Sequence, residues 1–280
     1  MTLFDYLKMD YIQNALIVGV LIALCAGLVG VPLVLKRYSM MGVGLSNVAF
    51  AGVGLGAVIG VTDSLIIVLP LTIVVAVLLL TSRNSKVKGD STIAMISVGA
   101  LAFGYFLLNT FPVSSNLAGD VCTALFGSTG ILALSNLDIW LSVCLAVFVV
   151  VFFVVFYNKI FAVTFDPEFV KATGSHAKVY EVAMAIVIAV VVALAMRLVG
   201  SLLTAALIIF PALSAMRVFK DFKSVVIASA IIAVVCAFVG MIVCIMWAGT
   251  PVGATIVMTN IVVFGGFYAT GLVLKPAEEV

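Results

Sequence analysis

Residues 12–35 read IQNALIVGVLIALCAGLVGVPLVL and are followed at once by Lys36 and Arg37. The run carries no charge and exceeds the roughly 20 apolar residues that a helix needs to cross a bilayer. Its apolar residues follow one another without alternation, the pattern of a spanning helix and not of a barrel strand. A basic pair directly after such a run is the flank expected on the cytoplasmic side. The stretch therefore reads as a membrane span, and the rest of the chain repeats it.

Further runs of the same kind occupy about 43–61, 64–82, 92–112, 133–157, 179–198, 201–217, 224–247 and 254–274. The count is nine spans, or eight if the short 201–217 run is a partial helix. Composition agrees: 65% of the 280 residues are hydrophobic and 9% are charged, and the mean hydropathy is +1.39. Soluble chains carry about a quarter charged residues, and so apolar a chain has too little polar surface to cover itself in water. The expected architecture is all-α: one polytopic transmembrane domain over residues 1–280 with eight or nine helices. A net charge of +2 builds no phosphate-binding stripe, so nucleic acid is excluded as a partner.

The charges also orient the chain. With the N-terminus outside, the inner loops collect Lys36, Arg37, Arg83, Lys86, Lys88, Lys159, Lys171, Lys178, Arg217, Lys220, Lys223 and Lys275. Only Lys8 and Arg197 fall outside, so 12 of the 14 basic residues mark one face. The first ten residues, with Asp5, Lys8 and Asp10, lack the basic start and small-residue cleavage site of a secretory signal. Five cysteines (Cys25, Cys122, Cys144, Cys236 and Cys244) show no CxxC spacing, and four lie in apolar runs as small hydrophobes. Neither a disulfide framework nor a zinc cluster is expected.

Two segments stand apart from the spans. Pro112–Ser135 is outside, rich in Gly and Ser, and reads as a short surface helix or a partial re-entry. Thr164–Tyr180 is inside and is the most charged part of the chain. There Asp166 is a candidate N-cap, Pro167 the first helical residue, Glu168 a first-turn acid, and Gly174 the stop. A capped helix over about 165–174 is too small for a domain and has the size of a docking element.

Catalytic signals are missing. The one histidine, His176, lies in the inner charged segment and reads as an exposed loop residue. No GxSxG, HExxH or GxxxxGK[ST] occurs, so no site residue is assigned to catalysis or to a resident metal, and ATP would have to be bound by another subunit. Buried ionisable groups are functional hypotheses by default, but few arise. Glu181 and Arg197 are near enough to the span ends to snorkel. Asp63 reads as a turn residue, and Asp120 stands evenly between a loop residue and a substrate contact in the outer segment. An ion-gradient-driven carrier, the alternative class, would want a mid-membrane carboxylate, and the spans offer none.

The second span contains Gly52, Gly56 and Gly60, a four-residue repeat that lets a neighbouring helix approach closely. Ser46 and Asn47 are its polar residues. Asn47 has two readings, an interhelical hydrogen bond or a substrate ligand.

Several stretches, in sequential order, resemble the membrane permeases of ABC-type importers for divalent metals. Ala195–Ala215 (AMRLVGSLLTAALIIFPALSA) is similar to that family's most distinctive tract: Val199-Gly200, Leu202-Leu203, Ala206-Leu207, Ile209 and Pro211-Ala212 fill its places. Phe165–Phe169 with Lys171, Ala172 and Gly174 resembles the family's cytoplasmic coupling helix. Leu35–Gly52 looks like its entry into the second helix, and Gly89–Thr92 like the start of its fourth. One departure stands out: where the family usually has an Asp and a His in that entry, this chain has Val43 and Asn47.

The resemblance implies an ABC importer permease fold and the uptake of manganese or zinc, ahead of iron, across the plasma membrane. It implies a homodimer with its pathway at the interface, an extracytoplasmic metal-binding receptor, and a separate ATP-binding cassette ATPase. Asp166, Pro167, Glu168, Phe169, Lys171 and Gly174 would form the ATPase contact, and Ser46, Asn47 and Asp120 would line the substrate path. A chelated metal or a non-metal solute is the alternative cargo, because Val43 and Asn47 replace an anionic oxygen and an imidazole.

Overall fold

A computed structural model describes residues 10–36, 38–61, 64–81, 89–111, 125, 127, 136–166, 168, 170, 177–246 and 250–274. All the elements among these residues are helices: α1 (Asp10–Leu35), α2 (Ser39–Ile59), α3 (Leu65–Thr81), α4 (Gly89–Thr110), α5 (Asn136–Val155), α6 (Tyr157–Phe165), α7 (Ala177–Val199), α8 (Ser201–Val218), α9 (Phe222–Met246) and α10 (Val252–Leu274). Every run read from the sequence is present, with ends shifted by no more than four residues.

Eight of the helices are long and apolar enough to cross a membrane; α8 is one of them. The shorter apolar helix is Leu65–Leu80 of α3, and not the 201–217 run that the sequence left open as a full or a partial helix. α8 has Gly200 alone between it and α7 and runs on to Val218, whereas α3 starts only after a turn at Ser64.

α1 runs through the centre, packed on α9, α8, α5 and α7, and Ile22, Ala23, Cys25, Ala26 and Val29 are almost wholly buried. Glycine sets its crossings. A Cβ on Gly27 would stand 2.9 Å from the Ala233 Cβ of α9, and one on Gly30 would strike the Ile208 carbonyl of α8. The Ser229 hydroxyl donates to the Gly27 carbonyl at 2.9 Å, a hydrogen bond that only so close an approach allows.

α2 binds α4 in the same way: a Cβ on Gly104 would meet the Phe50 ring at 2.7 Å and the Ala51 Cα at 2.9 Å. The glycine repeat of α2 divides in two. Gly52 faces Val68 of α3, and Gly56 faces Ser64 just before it. Gly60 has open space around it, so it is not a packing position; it is the left-handed C-cap, φ 75°, its N–H donating to the Gly56 carbonyl at 3.0 Å. In contact order α4, α2, α8 and α10 form a row, while α3 lies against α2 and α7.

Candidate translocation path and coupling segment

The polar residues at the start of α2 are wedged between two neighbours. A Cβ on Gly42 would touch Ile208 of α8 at 3.4 Å, and one on Gly44 would touch Ile93 of α4 at 3.2 Å. Ser46 is 1% exposed, and its hydroxyl donates to the Val43 carbonyl of its own helix at 2.9 Å. Asn47 is half-buried and donates from Nδ2 to Ser97 Oγ of α4 at 2.9 Å. The interhelical reading of Asn47 is thus realised, with Ser97 as the partner that the sequence did not single out. Fifty residues separate the two, and no local pattern connects them. Asp120 lies outside the described residues.

Among the described residues no three His, Cys, Asp or Glu side chains come together as a metal site. The start of α2 therefore offers neutral oxygens, from Asn47 and Ser97, and no anionic cage. Neutral oxygens suit a hard divalent cation in transit better than one held tightly, because conduction needs release as well as binding.

Two ion pairs mark opposite ends of the bundle. Lys36 Nζ, just after α1, lies 3.1 Å from Glu181 Oε1 near the start of α7, both side chains being mostly buried. Arg197, near the end of α7, lies 3.4 Å from Asp138 in the first turn of α5. The first pair puts the end of α1 beside the beginning of α7, and the second puts the beginning of α5 beside the end of α7. Glu181 and Arg197 do lie near the ends of their span, and each has a partner from another part of the chain.

At the Lys36 end the chain breaks at Phe156 and restarts as α6, a helix that the sequence reading left out between the fifth span and the charged segment. Aromatic rings hold it: Tyr157, Phe161 and Phe165 all pack on Phe222 at the start of α9, with centroids 5.4–6.0 Å away. Asp166 then caps in both directions. Its N–H donates to the Ala162 carbonyl at 2.9 Å and ends α6. Its Oδ1 accepts the Glu168 N–H at 3.1 Å, the N-cap bond that its position in the sequence suggested.

Glu168 and Val170 are helical, Val170 N–H donating to the Asp166 carbonyl at 3.3 Å. Asp166 and Glu168 are exposed, while Val170 is buried against Val163 with Ala162 and Tyr180 around it. One valine thus pins a charged turn to the bundle. Pro167, Phe169, Lys171, Gly174 and His176 lie outside the described residues.

The 112–135 tract has an anchor of its own. Gly200 joins α7 to α8 at φ 95° and ψ 157°, a region that essentially only glycine occupies. A Cβ there would stand 2.7 Å from the Gly127 nitrogen and 2.7 Å from the Leu125 carbonyl. The Val199-Gly200 pair is therefore where part of the 112–135 segment touches the bundle, backbone to backbone.

Known proteins share this arrangement from end to end. The manganese import system permease protein ScaB of Streptococcus gordonii is 27% identical over 91% of this chain and 89% of its own length. The manganese transport system membrane protein MntC of Halalkalibacterium halodurans is 26% identical over 92% of this chain and 86% of its own. The solved structure of PsaBC from Streptococcus pneumoniae in complex with Fab superposes with a TM-score of 0.82 at 26% identity, covering 95% of this chain and 94% of that one. A model of the ABC 3 transport family matches residues 8–269, and the chain belongs to that family.

Proposed function

We propose that the chain is the membrane-spanning permease subunit of an importer for a divalent metal ion, manganese before zinc or iron. Two copies would enclose the path, a separate ATPase would supply the energy, and an external receptor would deliver the ion. The names of the relatives support manganese, and the neutral oxygens of Asn47 and Ser97 are compatible with a hard cation passing through. The sidedness of the basic residues supports a plasma-membrane protein with its N-terminus outside.

One structural observation carries the shared path. α4 and α10 are the least buried of the long helices, yet they are among the least apolar. Helices exposed to lipid should be strongly apolar, as α5 is, with its run of Val, Phe and Leu. Gly99 on α4 and Gly265 and Gly266 on α10 face open space, which leaves bare backbone on those surfaces. A second copy against this side would cover them and leave the start of α2 close to the seam.

The exposed charges of Asp166 and Glu168, on a turn held by Val170, support this turn as the ATPase contact. Pro167, Phe169, Lys171 and Gly174 complete that proposed contact, and Ser46, Asn47 and Asp120 the proposed path. The test is manganese uptake by vesicles containing the permease, its ATPase and its receptor. Uptake should require ATP, and Glu168→Lys should abolish it while the permease remains inserted. Uptake by the isolated chain under an ion gradient, without ATP, would overturn the reading.

A further inference from the structure

The Lys36–Glu181 pair has no assigned role, and its surroundings are unusual for an ion pair. It lies in a cavity of about 40 Å³ whose other walls include Met41, Phe152, Ile160 and Met184. That volume takes only a few water molecules. Its side chains keep only 17% and 14% of their surface in contact with solvent. Desolvating two charges in this way costs several kcal/mol, and apolar side chains of the same size would hold such a spot at least as well. Stability does not explain the pair, whereas a directional link between two particular helices does.

The two residues stand between the charged turn and the start of α2. Glu181 follows Tyr180, which packs with Val163 and Val170 of the turn and lies 5.9 Å from Lys159 Nζ. A push on the turn is therefore delivered to the first turns of α7. Across the pair, Lys36 belongs to a hydrogen-bonded elbow: its N–H donates to the Pro32 carbonyl at 3.1 Å, Tyr38 N–H to Leu33 at 2.9 Å, and Met41 N–H to Tyr38 at 2.8 Å. The elbow continues into α2, which reaches Asn47 about 12 Å further along its axis. The small cavity gives the pair room to shift.

We propose that the Lys36–Glu181 pair is a positioning element of transport. It carries the displacement of the Asp166–Val170 turn from α7 to the α1–α2 elbow, and so to Asn47 and Ser97. This rests on the reading of that turn as the ATPase contact.

The experiment measures ATP hydrolysed per manganese ion taken up, in vesicles containing the permease with its ATPase and receptor. Lys36→Glu and Glu181→Lys should each raise that ratio about fivefold or more, and the double exchange Lys36→Glu with Glu181→Lys should bring it back. Lys36→Met with Glu181→Met tests packing alone. It should insert and melt like the parent, yet stay uncoupled. A normal ratio in the double-Met variant would overturn the proposal, as would failure of the exchange to restore coupling in a protein that folds. The ATPase should co-purify with all of these variants but not with Glu168→Lys. Co-purification and normal coupling of Glu168→Lys would overturn the docking reading by itself, while the double-Met ratio still decides the link from α7 to α1.

Discussion

α7 is held differently at its two ends. At the Lys36 end the grip is made by long side chains: Glu181 with Lys36, and Tyr180 among Phe156, Lys159 and Val170. At the Arg197 end the ion pair with Asp138 is looser, and Arg197 keeps 33% of its side-chain surface exposed. What fixes this end is backbone: Gly200 against Gly127 and Leu125, with no side chain between them. Side chains several bonds long can swing while their contacts persist, but two apposed backbones cannot. α7 is therefore a lever with a hard pivot at one end and a compliant grip at the other. The charged turn that we propose as the ATPase contact sits at the compliant end.

The sharpest way to break this contrast is to damage the pivot. Gly200→Ala puts a Cβ into the Leu125 carbonyl at a φ that L residues resist, and should cost about 3 kcal/mol or more. The check is the melting temperature in detergent, together with hydrogen exchange at residues 125–127. An unchanged protein would show that the outer contact is incidental. The compliant end should be less sensitive. Glu181→Ala removes the carboxylate 3.1 Å from Lys36 in a mostly apolar cavity, and we expect a loss of about 2–3 kcal/mol, below the usual range for fully buried pairs because water still reaches the rim. Asp138→Asn should have the smallest effect, about 1 kcal/mol, because Asn keeps the shape of the side chain and the partner Arg197 keeps a third of its side chain in solvent. Were Asp138→Asn to cost more than Glu181→Ala, the assignment of hard and soft ends would be reversed.

Much of this was legible in the sequence, and the gaps have physical causes. Span positions follow from uninterrupted apolar runs, which backbone hydrogen bonding in lipid converts to helices with little freedom. The capping role of Asp166 was legible because an N-cap is a local property. The partners Lys36 with Glu181, 145 residues apart, and Asn47 with Ser97 were not, since no periodicity ties distant polar residues together. Gly60 was misread because a C-cap and a packing glycine obey the same four-residue spacing, and only the backbone angle separates them. The 201–217 run stayed open between a full and a partial helix because run length alone does not tell where α7 stops and α8 starts.

α3 has a consequence for the lipid itself. Its 17 residues make a rod about 25 Å long, set against a hydrocarbon layer about 30 Å thick. Its exposed stripe is shorter still, running from Ile66 through Pro70 and Val74 to Leu78, about 18 Å along the axis. Over the described residues the stripe is shorter than the hydrocarbon layer, and acyl chains meeting it would have to compress or splay beside α2 and α7. Were transport to move α7, as we propose, it would work against that local elastic strain, and thickening the membrane would change its rate without altering a single protein contact.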